Sequence, residues 1–273
     1  MRLNLLQPHP LLKAYIDKIF VLDSDGSIAD DDLKLIVPNG LPKIVIPIRN
    51  GLASKVNGLY QVSHETTITL IGMSDISAIV EAECDGAHRT LCIEFSAAGA
   101  YRFFRFNLHE MSNRVLPLTE VLGRHASQLQ EQVSNAGSVA EQMDVLQEFL
   151  LQRLQSREDD LLLNFCIQRI RALRGAVSVR ELEKATGYSS RWLHMKFLEK
   201  VGISPKSYAS VIRFQPFYKA YTQNPDQRLA DAEFYNYFYD QSHFIKDFKR
   251  YTGLAPTQFM KYANEYGRIF YKD

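Results

Sequence analysis

Cysteine is nearly missing from this chain. Cys84, Cys92 and Cys166 are the only three among 273 residues, an odd, sparse set that excludes a disulfide framework. Cys84 and Cys92 stand eight apart, not a common zinc spacing. All three therefore read as small apolar residues in a reducing compartment. No apolar run approaches the roughly 20 residues that span a bilayer. Pro8 breaks the opening Met1-Arg2-Leu3-Asn4-Leu5-Leu6 too early for a signal peptide, so a soluble, cytoplasmic protein is expected. A phosphate-binding glycine loop, a Gly-x-Ser-x-Gly elbow and a His-Glu-x-x-His pair are also lacking. His64 and His88 form no recognisable metal cluster. No catalytic residue, metal or cofactor is expected.

What remains is ordinary globular composition, 46% hydrophobic and 23% charged, and enough length for about two domains. The net charge of +1 conceals an asymmetry. Residues 1–157 hold 14 Lys and Arg against 18 Asp and Glu, a balance of −4. Residues 158–273 hold 18 against 13, a balance of +5. A basic C-terminal half fits a polyanionic partner, though many such domains bind none.

Pro10 to Phe20 carries apolar residues at helical spacing, and residues 23–32 form an acidic stretch that reads as a solvated loop. Residues 33–95 alternate β-branched runs with turn signals: Lys43-Ile44-Val45-Ile46-Pro47-Ile48 ends in Arg49-Asn50-Gly51, and Arg89-Thr90-Leu91-Cys92-Ile93-Glu94-Phe95 closes the set. This predicts a β-rich domain, a sandwich or small barrel. Residues 117–132 and 138–155 read as helices, the second with Ser138 as N-cap. Residues 156–160 read as an interdomain linker or hinge. From Leu161 onward the pattern is helical. The predicted fold is therefore α+β in two domains: 1–157, β-rich with a helical end, and 158–273, all-α.

Residues 161–273 contain an internal repeat. Val179 to Ser189 followed by Ser190 to Phe197 matches Leu229 to Phe238 followed by Tyr239 to Phe248. Each is a short helix, a tight turn, a polar cap and a second amphipathic helix. Gly187 suits the left-handed backbone that ends a helix, and Ser189 suits the next N-cap. Leu193 and Phe197, four apart, point inward, as do Phe244 and Phe248. That leaves Arg191, His194 and Met195 on one outward face and Gln241, Ser242, Ile245 and Lys246 on the other. A closing phrase of Gly, apolar, small, Pro follows both units, at Gly202-Ile203-Ser204-Pro205 and Gly253-Leu254-Ala255-Pro256. Arg213 reads as a salt-bridge partner, His243 as a core-edge histidine and Trp192 as packing for the helix pair.

Through "GYSSRWLHMKFLEKVGISPKSY", "RFQPFYKAY" and "FYDQSHFIKDFKRYTGLAPTQF", residues 160–265 resemble the DNA-binding domain of AraC-type transcription regulators. The resemblance implies two helix-turn-helix units joined by a long helix, here Lys206 to Tyr221. It departs from the family at Glu183 and Glu233, where a small residue is usual, and at Tyr237, where Gly is usual. A buried Glu must find a partner or turn outward. The resemblance implies double-stranded DNA as the principal partner, with RNA polymerase beside it. Arg191 is then the leading base reader through a bidentate pair with guanine, followed by His194; Gln241 suits adenine. Met195 and Ile245 share those faces. Ser190, Lys196, Ser242, Lys246 and Lys249 are phosphate candidates.

"VPNGLPKIVIPI" and "IEFSAAGAYRFFRF" resemble the N-terminal domain of an uncharacterised branch of such regulators. They imply a β-rich, cupin-like domain that binds a small-molecule effector or mediates homodimerisation. Arg49, His64, Arg89 and Glu94 are pocket candidates, with ordinary surface roles as the alternative. The 139–154 helix is either a dimer seam or internal packing. Two rival readings stay open: a cupin-like metal-dependent enzyme, and a regulator acting only through protein partners with degenerate DNA-binding units.

Overall fold

The computed structural model describes residues 1–26, 28–154, 160–223 and 241–270. The N-terminal half contains ten strands: β1 (Arg2–Leu6), β2 (Ile16–Ser24), β3 (Leu35–Ile36), β4 (Lys43–Arg49), β5 (Leu52–Val56), β6 (Leu59–Ser63), β7 (Thr69–Ile71), β8 (Ala78–Ala82), β9 (His88–Phe95) and β10 (Val115–Pro117). They form two antiparallel sheets, one in the order β1-β2-β9-β4-β7-β10 and one in the order β3-β8-β5-β6. α1 (Gly99–Phe104) lies between β9 and β10, and α2 (Leu118–Leu122), α3 (Arg124–Asn135) and α4 (Val139–Arg153) follow β10. As expected, Ser138 caps α4 by accepting a hydrogen bond from the Glu141 N–H at 3.2 Å.

Side chains alternate faces along a strand, and here both faces of the six-stranded sheet are covered. Ile19, Val21, Ile44, Ile46, Leu91 and Ile93 pack into one core with Phe103, Leu129, Met143 and Leu146 of the helices. The intervening residues Phe20, Leu22, Lys43, Val45, Thr90 and Cys92 face a cavity between the two sheets. This two-sided burial explains where the Pro10–Phe20 pattern misleads. Only Pro10–Leu12 is helical, as a single 3-10 turn, and Ile16 onward is strand. Its near-continuous apolar run is that of a strand covered on both faces. The acidic stretch at 23–32 is also not wholly solvated. Asp23 belongs to β2 and binds Arg89. Asp32 is buried, accepting from the backbone N–H of Lys34 at 2.7 Å and of Glu265 at 2.9 Å. Of the cysteines, Cys92 and Cys166 are buried as expected, but Cys84 is exposed.

The C-terminal half is helical: α5 (Leu161–Ala172), α6 (Val179–Thr186), α7 (Ser190–Lys200), α8 (Pro205–Gln223), α9 (Gln241–Thr252), α10 (Pro256–Phe259) and α11 (Glu265–Phe270). The expected hinge lies mostly outside the described residues. Asp160, placed there by sequence, instead caps α5 through the Leu163 N–H and binds Lys200 Nζ at 2.6 Å. One core joins Leu163, Ile170, Leu193, Phe197, Phe214 and Phe248, and it also takes in Leu35, Val37, Met73 and Ala97 from the N-terminal half. Asn264 ties the halves further. It bonds the Leu35 backbone at both N–H and carbonyl, at 3.2 and 2.9 Å, and the Tyr218 hydroxyl at 2.7 Å. No helix among the described residues is long and apolar enough to cross a membrane.

Candidate nucleic-acid interface

The first unit is built as its sequence predicts. Ser178 and Glu181 form a reciprocal capping box that starts α6. Gly187 ends it at φ 76°, in the left-handed region. Ser189 then caps α7, accepting from the Trp192 N–H at 3.3 Å. Because that cap fixes the start of α7, the helical repeat determines what faces out. Leu193 and Phe197 are buried, while Arg191, His194 and Met195 are exposed, Met195 by 60%. Trp192 is half-buried against the core and stacks on Tyr188, ring centroids 4.3 Å apart. Lys196 Nζ sits 5.7 Å from the Trp192 ring centroid.

Two phosphate candidates are already engaged. The Ser190 hydroxyl donates to Glu183 Oε2 at 2.7 Å. This contact accommodates Glu183 between the two helices: it finds a hydroxyl at the neighbouring helix start. Lys196 binds Glu199 at 3.1 Å. Glu199 also accepts from the Tyr101 hydroxyl at 2.9 Å. Burial pushes the Glu199 carboxyl up, but the bonds from Tyr101 and Lys196 outweigh it and hold the carboxyl below its usual range.

α8 carries the first unit to α9. Phe214 and Phe217 of α8 meet Phe244, Phe248 and Tyr251 of α9, with Phe217 and Phe244 centroids 4.7 Å apart. Arg213 Nη2 donates to Asp247 Oδ2 at 3.0 Å, and His243 Nε2 lies 3.7 Å from the same oxygen. Arg213 is thus the ion-pair partner its sequence context suggests. With Phe244 and Phe248 buried, Ser242, Ile245, Lys246 and Lys249 are exposed at the three- and four-residue spacings of one helix face. Gln241 opens α9, and its side chain lies outside the described residues. So do the first helix and turn of the second unit, including Glu233 and Tyr237.

Both outward faces therefore stand on a single aromatic core. The end of α7 is also held from the N-terminal half. The Gly202 carbonyl accepts from Ser112 Oγ and lies 2.9 Å from His109 Nδ1. Arg250 of α9 binds Asp75. Sequence reasoning missed the Ser190–Glu183 contact and the Tyr188–Trp192 stack. Both join residues within seven positions, and the capped turn that brings them together was the available signal.

Of the four pocket candidates, Glu94 lines the cavity between the sheets. Arg89 pairs with Asp23 at 2.5 Å, His64 pairs with Glu83 at 2.7 Å, and Arg49 is exposed. No His, Cys, Asp and Glu cluster suited to a metal occurs among the described residues.

Residues 182–262 match the family described as a helix-turn-helix domain, and residues 4–117 match a domain of unknown function, DUF6597. No curated protein matches the chain. Among solved structures, an apo ToxT variant from Vibrio cholerae is 12% identical with a TM-score of 0.49, over 89% of this chain and 97% of that one. Wild-type ToxT from Vibrio cholerae bound to unsaturated fatty acid is 14% identical with a TM-score of 0.46, over 97% and 100%. The AraC-like transcriptional activator CuxR is 12% identical with a TM-score of 0.26, over 74% and 73%.

Proposed function

We infer that this chain, which carries an AraC-type helix-turn-helix domain behind a domain of unknown function, is an effector-responsive, DNA-binding transcription regulator that reads successive major grooves with α7 and α9. The observation that carries the finer reading is the exposed face of α7, where Arg191, His194 and Met195 stand over a fully buried Leu193 and Phe197. A capped helix with an outward polar face fits the width of a B-DNA major groove. Arg191 is the leading base reader, because a guanidinium pairs bidentately with guanine. Ser242, Ile245, Lys246 and Lys249 form the corresponding face of α9, with Gln241 at its start.

Lys246 and Lys249 make phosphate contacts, which fix register without reading sequence. Ser190 and Lys196 join them by exchanging their bonds to Glu183 and Glu199 for phosphate oxygens. The reading is of a binding protein rather than an enzyme, working in the cytoplasm with RNA polymerase downstream. Residues 1–157 act as the effector and homodimerisation domain, residues 158–273 as the DNA-binding domain.

The test is binding of the full chain to fragments of its own chromosome at a series of salt concentrations. Specific duplex binding is expected, with log affinity falling in log salt at a slope of about −0.9 per phosphate contacted. A chain that retains no duplex, or binds with a flat salt response, overturns this reading in favour of action through protein partners.

A further inference from the structure

β9 has two unlike faces. Leu91, Ile93 and Phe95 fill the core under the helices. The alternate residues His88, Thr90, Cys92 and Glu94 all face the cavity between the sheets. The cavity holds about 140 Å³. Its remaining walls are chiefly apolar, with Phe20 and Leu22 of β2, Val56 of β5 and Val80 of β8. Tyr266 and Phe270 of α11 also line it, their rings stacked 5.8 Å apart.

Beside Ser54, Ser63, Thr69, Asn113 and Arg114 on its other walls, the polar groups centred on β9 fall into two sets. At one end Lys43 Nζ at 2.7 Å, Lys18 Nζ at 3.1 Å and Asn39 Nδ2 at 2.8 Å surround the Glu94 carboxylate. Lys43 is itself held by the Asn39 side-chain oxygen at 2.7 Å. At the other end His88 is 3% exposed and Thr90 is 4% exposed. Neither ring nitrogen of His88, nor the Thr90 hydroxyl, has a hydrogen-bond partner among the described residues. Buried polar groups are ordinarily paired, and leaving them bare is unfavourable. Two residues apart on one strand, the two side chains start about 7 Å from each other, within reach of a single polar head.

We propose that this cavity binds a small uncharged molecule with an apolar body and one hydroxyl, amide or carbonyl group, which His88 and Thr90 hold. A neutral imidazole offers one donor and one acceptor, and a hydroxyl offers both, so the pair suits a neutral head. A carboxylate or ammonium held by His88 and Thr90 would be buried away from the charges of Lys43, Arg114 and Glu94, because Glu94 lies six residues further along β9, roughly 20 Å from His88, and that is costly. Burial also holds the His88 imidazole towards its neutral form. The bound molecule would touch Tyr266 and Phe270 directly. α11 follows Asn264, which bonds Tyr218 of α8, so occupancy would bear on the DNA-binding helices. This consequence, though not the binding itself, rests on the regulator reading above.

The test is displacement of N-phenyl-1-naphthylamine, a neutral fluorophore, from the full chain by octan-1-ol, octanoate and octylammonium. Fluorescence is expected to rise on adding the probe. Octan-1-ol is expected to displace it at a concentration at least about tenfold lower than either ion, a difference of about 1.4 kcal/mol. His88→Leu and Thr90→Val are each expected to erase most of that preference. Thr90→Val is nearly isosteric and loses only an unpaired hydroxyl, so it remains informative should His88→Leu fold poorly. The proposal is overturned by a probe that shows no enhancement or displacement, by an ion that competes as well as the alcohol, or by a folded Thr90→Val chain with its preference unchanged. Loss of DNA binding would sink the regulator reading and leave these displacement curves unmoved.

Discussion

Arg191 and Ser190 are neighbours with opposite circumstances. Arg191 is exposed at the start of α7, and Ser190 is already bonded to Glu183. Arg191→Ala is accordingly expected to weaken specific binding by about 1–3 kcal/mol and to relax preference at one base pair. Competition binding against operators varied base by base checks this; equal weakening on all sequences would make Arg191 a phosphate contact. The outward placement of Arg191, His194 and Met195 was legible because Leu193 and Phe197 fix the helix phase. The tie from Ser190 was not, since it depends on how Glu183 bends after the turn. His88 gives a pH prediction. Burial lowers its pKa first, the amino group of Met1 lowers it further, and Asp23 opposes them. A folded-state pKa depressed below 6.5 means the unfolded chain takes the proton first. The neutral His88 form therefore supports the fold fully above that value, and the support drains as pH falls below it. Thermal melting from about pH 8 down to about pH 5 should show this loss, and His88→Leu should flatten that limb of the profile.

Among the elements, helices were more legible than strands. Caps and four-residue spacings mark α4, α6 and α7 from local sequence. The start of β2 mimics a helix because a strand covered on both faces loses its two-residue alternation, and Ile16 and Ile19 then continue the helical spacing of Leu11, Leu12 and Tyr15. β5 and β6 are less legible: Leu52-Ala53-Ser54-Lys55-Val56 and Leu59-Tyr60-Gln61-Val62-Ser63 are short and mixed in polarity, and only the Asn57-Gly58 turn between them marks the hairpin. The turn between α5 and α6 hinges on Gly175, at φ 74°, where an added Cβ would sit 2.1 Å from the Ala209 carbonyl oxygen of α8. Gly175→Ala is expected to lower stability by about 1–3 kcal/mol, read by chemical denaturation. A neutral result would mean that α5 can shift away from α8. Between α8 and α9, Asp247→Asn removes the carboxylate facing Arg213. The expected loss is about 2 kcal/mol, read by chemical denaturation. A neutral result would argue that shape, not charge, matters there.

For the whole molecule, the division into a β-rich and a helical half was legible from composition and periodicity. What sequence concealed is how closely the halves interlock. Leu35 and Asn264 are 229 positions apart yet share two hydrogen bonds, and no local pattern announces such a pair. Asn264→Ala is expected to lower the melting temperature, since it strands both backbone groups of Leu35 and removes a partner of the Tyr218 hydroxyl. It is also expected to change DNA affinity without touching either outward helix face. An unchanged affinity in a folded variant would show that the interlock is structural only.

The unlike faces of β9 carry one more consequence. A substitution at 88 or 90 alters what the hollow recognises, while Leu91, Ile93 and Phe95 go on anchoring the opposite layer untouched. Descendants of this chain are thereby free to answer new chemical cues through one or two point changes, with the scaffold inherited whole. An inserted or deleted residue in the same strand has no such licence, because it would exchange the sensing side for the anchoring side at a stroke.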